Sequence, residues 1–159
     1  MLVIPKMDPG RWNKIKGTDN CVGRDVGIVK VFEMNSPSRA GTCKWTSREK
    51  VFPGVREAAL TQDDCWILYA NIGYIMVLDY IEIPEDCYGI LRPRSTLLKM
   101  GIVCSQGAVW DPGYKGNGKV VVYPTYNTMI ERGLQVFSLE LHREEGMTIY
   151  NGSYQGERV

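Results

Sequence analysis

Apolar residues recur along this chain in short runs of alternating character. Residues 26–34 place Val26, Ile28, Lys30, Phe32 and Met34 on one side, with Val29 and Val31 among those opposite. That pattern predicts a strand buried on much of both faces. Residues 66–69 and 74–83 are β-branched and aromatic, and Asn71-Ile72-Gly73 between them predicts a tight turn joining two strands. Ile83-Pro84-Glu85-Asp86 reads as a turn before a short strand at 88–91. Residues 101–104, 119–123, 135–141 and 147–150 extend the run of short strands, and Pro124 ends or bulges the strand before it. Helical signals are confined to single turns, at 57–60 and at 96–100, the latter with Ser95 as N-cap and Gly101 as its end. Residues 1–22 read as an extended arm and 35–50 as a long polar loop. Many short strands with Gly/Pro-rich turns predict an all-β domain, a sandwich, barrel or jelly roll.

Composition narrows the function. A length of 159 residues predicts a single domain. With 19 basic and 18 acidic residues the chain has no overall field for a nucleic-acid polymer, so a basic patch would serve one small anion. The longest apolar run, 66–78, is interrupted by Asn71 and Gly73 and falls short of the ~20 residues needed to cross a bilayer. Four apolar residues before Pro5 are too few for a signal peptide. A soluble, cytoplasmic protein is expected. Cysteines at 21, 43, 65, 87 and 104 form no C-x-x-C pair, which predicts reduced thiols. His142 is the only histidine, which excludes the usual zinc sites and the Ser-His and Cys-His pairs. Catalysis here must rest on carboxylates, backbone groups or a bound metal ion.

The candidate chemistry lies in residues 88–118, YGILRPRSTLLKMGIVCSQGAVWDPGYKGNG. Its first half carries Arg92, Arg94, Ser95, Thr96 and Lys99, a set of groups that suits a phosphate. Its second half carries Asp111 at the head of Asp111-Pro112-Gly113, Tyr114 three residues later, and a second turn signal at Asn117-Gly118. Taken singly, each piece has a structural reading: an Asp capping its own turn, a two-residue hairpin turn, a surface helix start.

Order and spacing change that picture. PRSTLLKMGI resembles the Arg-Ser-Ser motif of the trimeric dUTP pyrophosphatases and dCTP deaminases, and AVWDPGYKG resembles the motif carrying that family's aspartate and aromatic. The tail YNGSYQGE is similar to that of the deaminases and archaeal dUTPases, with looser matches at 23–26 and 133–137. The resemblance implies a distorted, jelly-roll-like β-barrel assembled as a homotrimer, one domain over 1–159 with an arm at 1–22 and a site-building tail at 142–159. It implies that Asp111 is the general base, that Tyr114 packs against deoxyribose, and that Arg94, Ser95, Thr96 and Lys99 hold phosphates. Ala108, Val109 and Trp110 would wall the base pocket, Tyr150, Tyr154 and Gln155 would add tail contacts, and Asp25 would support Mg2+ through water.

The departures choose between activities. Deaminases of the family need a glutamate on the strand after the aspartate motif; here that strand reads KVVVYPTYN, with Tyr123 or Pro124 near the expected position. Lys99 stands where they carry an arginine, and keeps the charge without the bidentate fork. The glycine-rich phenylalanine motif that closes many dUTPases is absent, while Ser138, Ser153 and Glu157 replace glutamine, lysine and glutamine. The expected activity is therefore hydrolysis of dUTP to dUMP and diphosphate, which limits uracil entry into DNA. The alternatives are a dCTP deaminase or bifunctional enzyme, and an inert trimer that binds a nucleotide or partner protein.

Overall fold

The computed structural model describes residues 2–3, 15–20, 23–34, 41–47, 49–105, 109–143 and 145–158. In chain order the strands are β1 (Leu2–Val3), β2 (Thr18–Asp19), β3 (Arg24–Glu33), β4 (Thr42–Cys43), β5 (Lys50–Val51), β6 (Arg56–Glu57), β7 (Cys65–Leu68), β8 (Tyr74–Glu82) and β9 (Tyr88–Pro93). One helical turn, α1 (Ser95–Lys99), precedes β10 (Ile102–Cys104), β11 (Val109–Trp110), β12 (Lys115–Pro124), β13 (Thr128–Glu131) and β14 (Gln135–Arg143). All strand pairs are antiparallel, and the principal sheet runs β10-β12-β8-β3-β14-β9-β11.

β3 is the strand that joins the two halves of this sheet. Its first residues pair with β14 (Asp25 opposite Ser138) and its last with β8 (Phe32 opposite Ile75). Val26, Ile28 and Val31 are fully buried, as its two-sided apolar pattern predicts. Trp66, Leu68, Tyr74, Met76, Leu78 and Phe137 fill the same core. Val120 and Val122, which alternate with Val121 and Tyr123 on β12, point into it. The fold is all-β, as expected.

Several local expectations are corrected. β7 and β8 are both present but do not pair; β7 forms its own ladder with β13, and Asn71 between them turns at φ 65° with its N–H on Pro124 O. Residues 57–60 make no helical turn, because Arg56–Glu57 pairs with the end of β3 and Ala58 N–H donates to Val31 O. Asn117-Gly118 is no hairpin turn; it is a register shift inside β12. Ser95 is the first residue of α1 and not its cap. Arg94 takes the N-cap position in extended conformation, anchored by its N–H on Val136 O. Residues 147–150 form no strand, since Tyr150 is held by a single backbone bond to Pro112 O. Pro124 does close β12, and part of the 35–50 loop is the β4–β5 hairpin. Cys43, Cys65 and Cys104 are free thiols. No helix among the described residues is long and apolar enough to cross a membrane.

Candidate active site

Asp111 stands at the exposed rim of a cleft of about 380 Å³, also lined by Trp110, Tyr114, Lys119, Tyr150 and Glu157. The turn it opens is closed by backbone: Tyr114 N–H donates to Asp111 O at 3.1 Å, and Gly113 sits at φ +75°, where a side chain would be strained. Among the described residues the Asp111 carboxylate has no hydrogen-bond or ion-pair partner. A turn-capping Asp would bond its own backbone; this one leaves both oxygens available to accept a proton.

Beneath it lie three aromatic rings. Trp110 and Tyr114 stack with centroids 6.3 Å apart and planes within 6°, and Tyr150 meets Tyr114 edge-on at 5.8 Å. β12 makes room for them with glycine. A Cβ on Gly118 would lie 2.5 Å from Trp110 Cζ2, and one on Gly116 would lie 2.6 Å from the Tyr114 hydroxyl oxygen. Tyr114 is buried, and that burial, followed by the nearby Glu157 charge, pushes its phenol up to about 12. It is a neutral platform at any physiological pH.

The C-terminal tail braces this half. Gln155 Nε2 donates to Gly113 O, and Lys115 N–H donates to Gln155 Oε1, both at 2.8 Å. Gly156 N–H donates to Lys115 O, and Asn117 N–H to Glu157 O, which lays the tail along β12. Glu157 then ion-pairs with Lys119 inside the cleft. The carboxylate that stands where glutamine is usual is therefore neutralised by its own strand partner. Tyr154 lines the cleft, while Gln155 holds the backbone around it.

The anion half is elsewhere. Arg94 and Ser95 line a separate cleft with Leu98, Val103, Cys104 and Thr125. Ser95, Thr96 and Lys99 are exposed along α1. Arg94 Nη1 lies 2.6 Å from Asp25 Oδ2 and 3.2 Å from Gln135 O. Asn20 Nδ2 donates to Asp25 Oδ1 and to Ser138 Oγ, each at 2.7 Å. Asp25 is 6% exposed with both carboxylate oxygens engaged, and no group of three potential metal ligands occurs among the described residues. Among the described residues no side-chain cage for a metal ion occurs, and Asp25 is paired with Arg94.

Of the expected site residues, the structure brings Asp111, Val109, Trp110, Tyr114, Tyr150 and Tyr154 together and sets Arg94 and Ser95 apart from them. Ala108 lies outside the described residues. Sequence reasoning missed Asn117 and Lys119 as cleft residues, the pairing of Glu157 with Lys119, and the contacts of Asn20 with Asp25 and Ser138. Lys119 carried a signal, as the charge that heads the apolar run 120–122.

Comparison with known proteins supplies the family. A family profile described as dCTP deaminase-like matches residues 27–144. A probable deoxyuridine 5'-triphosphate nucleotidohydrolase of Halobacterium salinarum is 31% identical over 139 residues, 86% of this chain and 82% of that one. The deoxyuridine 5'-triphosphate nucleotidohydrolase of Methanocaldococcus jannaschii is 30% identical over 84% of this chain and 85% of its own. A dCTP deaminase of Pyrobaculum islandicum is 35% identical over 60% of this chain and 55% of its own. In the crystal structure of the 2'-deoxycytidine 5'-triphosphate deaminase from Agrobacterium tumefaciens the fold recurs with a TM-score of 0.61 at 14% identity, over 89% of this chain and 48% of that one. The chain belongs to the dUTPase and dCTP deaminase family.

Proposed function

We propose that the protein is a cytoplasmic dUTP diphosphatase, yielding dUMP and diphosphate, whose sites are shared between neighbouring chains of a homotrimer. The observation that carries this reading is the unpartnered Asp111 carboxylate at the rim of an aromatic cleft. In this reading Asp111 accepts the proton of a water that attacks the α-phosphorus, and the Pα–O–Pβ bond breaks with diphosphate as leaving group. Tyr114 packs against deoxyribose, and Val109 and Trp110 wall the base. Arg94, with Ser95, Thr96 and Lys99 beside it, holds phosphates through charge-assisted contacts. Magnesium, when bound with the triphosphate, would neutralise its charge, and Asp25, both of whose oxygens are engaged, would support it only through water.

What one chain leaves open supports the trimer. The two half-sites line separate clefts. Cross-strand pairs Val103–Tyr123 and Ile67–Met129 stand exposed on the sheet surface, Val103 at 60% and Met129 at 62%. Apolar pairs of this kind mark surfaces that another chain covers.

One observation favours a second reading, deamination of dCTP. β12 carries no carboxylate, yet Glu157 reaches the same cleft as Asp111. Incubation with each common dNTP and magnesium, scoring diphosphate and ammonia separately, decides. Diphosphate from dUTP without ammonia from dCTP supports the diphosphatase; ammonia from dCTP contradicts it as the sole activity.

A further inference from the structure

The β4–β5 hairpin lies beside the candidate site without lining the Asp111 cleft. It forms a two-stranded ladder of its own, Thr42 opposite Val51 and Cys43 opposite Lys50, joined to neither of the other sheets. Its tip carries Trp45, 95% exposed, and Phe52 just beyond it is 66% exposed. An isolated ladder with a bare indole lacks the burial that normally holds such a hairpin in place.

The hairpin nevertheless faces the tail. Cys43, Lys44, Trp45, Thr46 and Lys50 line a cleft of about 940 Å³ whose far wall is Ser153. Lys50 Nζ lies 5.8 Å from the Tyr154 ring centroid, and Tyr154 is also a wall of the Asp111 cleft. One tyrosine ring of the aromatic cleft thus touches Lys50, a wall of the second, cationic one. Lys44 is neutralised by Glu49 at 3.0 Å, whereas Lys50 enters no ion pair among the described residues. A free ammonium and an exposed indole beyond the base cleft suit the two ends of one ligand class, a nucleotide carrying a polyphosphate.

We propose that the β4–β5 hairpin covers the bound nucleotide, with Lys50 as a polyphosphate contact and Trp45 as an aromatic cover. The proposal rests on the nucleotide reading of the Asp111 cleft and names the chain segment that closes it. Binding then orders a hairpin that one chain alone leaves unsupported.

The test is calorimetric binding of dUMP and of α,β-imido-dUTP with magnesium to the parent, to Lys50→Gln and to Trp45→Ala. Both side chains are exposed, so the variants retain the fold. Lys50→Gln should weaken the imido-triphosphate about ten-fold, the loss of one charge-assisted contact, while dUMP binding stays within two-fold. Trp45→Ala should weaken both nucleotides. A Lys50→Gln variant that binds the imido-triphosphate like a binding-competent parent overturns the hairpin proposal alone. A parent that binds neither nucleotide overturns the nucleotide reading and the hairpin proposal with it.

Discussion

The two halves of the candidate site are built in opposite ways. Around Asp111, the carboxylate is free and everything beneath it is fixed: stacked Trp110 and Tyr114, glycines that admit them, and a tail hydrogen-bonded along β12. Around Arg94, the cation is committed to the buried Asp25 and its surroundings are open, with Ser95, Thr96 and Lys99 exposed on one turn of helix. Within one chain, the carboxylate half is closely braced, and the anion half is an open rim, which in the proposed reading a second chain completes. In the proposed reading, the free polar group on a fixed base is the reacting centre, and the paired one serves orientation.

The sharpest way to test that contrast is Asp111→Asn. Asn keeps the shape, and the turn depends on backbone bonds, so the melting temperature and the affinity for α,β-imido-dUTP should be nearly unchanged. Hydrolysis should fall by ~10²- to 10⁴-fold, the usual loss with a general base. Turnover within a few-fold of the parent would remove Asp111 from the chemistry.

Arg94→Gln should behave differently, because it removes a phosphate contact and strips a buried carboxylate of its cation. After screening at the half-exposed guanidinium, the fold should lose about 1–2 kcal/mol, alongside weaker nucleotide binding. Chemical denaturation reads the first effect and calorimetry the second. An unchanged denaturation midpoint would mean that the Asp25–Arg94 pair does not support the rim.

The smallest effect concerns Tyr114. Its phenol ionises near 10 in the unfolded chain and near 12 when buried, so between those values the native state holds the extra proton. The resulting stability is complete below pH 10 and is lost as pH rises toward 12. Tyr114→Phe should therefore lose less stability than the parent between pH 9 and pH 11 in denaturant titrations. Equal losses would place the ring in a wetter setting.

Much of this was legible in the residues, for reasons that differ from place to place. The two-sided apolar run of β3 and the alternation of β12 specify buried strands directly, and Pro124 stops the latter where its missing N–H requires. Asp111-Pro112-Gly113-Tyr114 shows in its spacing that an acid and an aromatic share one turn. The pairing of β7 with β13 was not legible, because the turn after β7 suits a hairpin and only long-range packing sends the strand elsewhere. Asn117-Gly118 has a strong turn signal that Trp110's need for a flat neighbour overrides. The Asp25–Asn20–Ser138 cluster and the Lys119–Glu157 pair join residues far apart in sequence, and no local pattern reports such contacts.

The central claim, that the free carboxylate of one chain works with the paired arginine of another, is tested most directly by mixing subunits. Asp111→Asn chains, impaired in chemistry, and Arg94→Gln chains, impaired in nucleotide binding, are co-expressed or refolded together, and dUTP hydrolysis is measured at low dUTP. Random assembly places an intact Asp111 against a neighbour's intact Arg94 in on the order of one quarter of sites, so activity should return to that fraction of the parent's. A mixture as inactive as its components, with mixed trimers demonstrated by mass, would show that both groups act from the same chain.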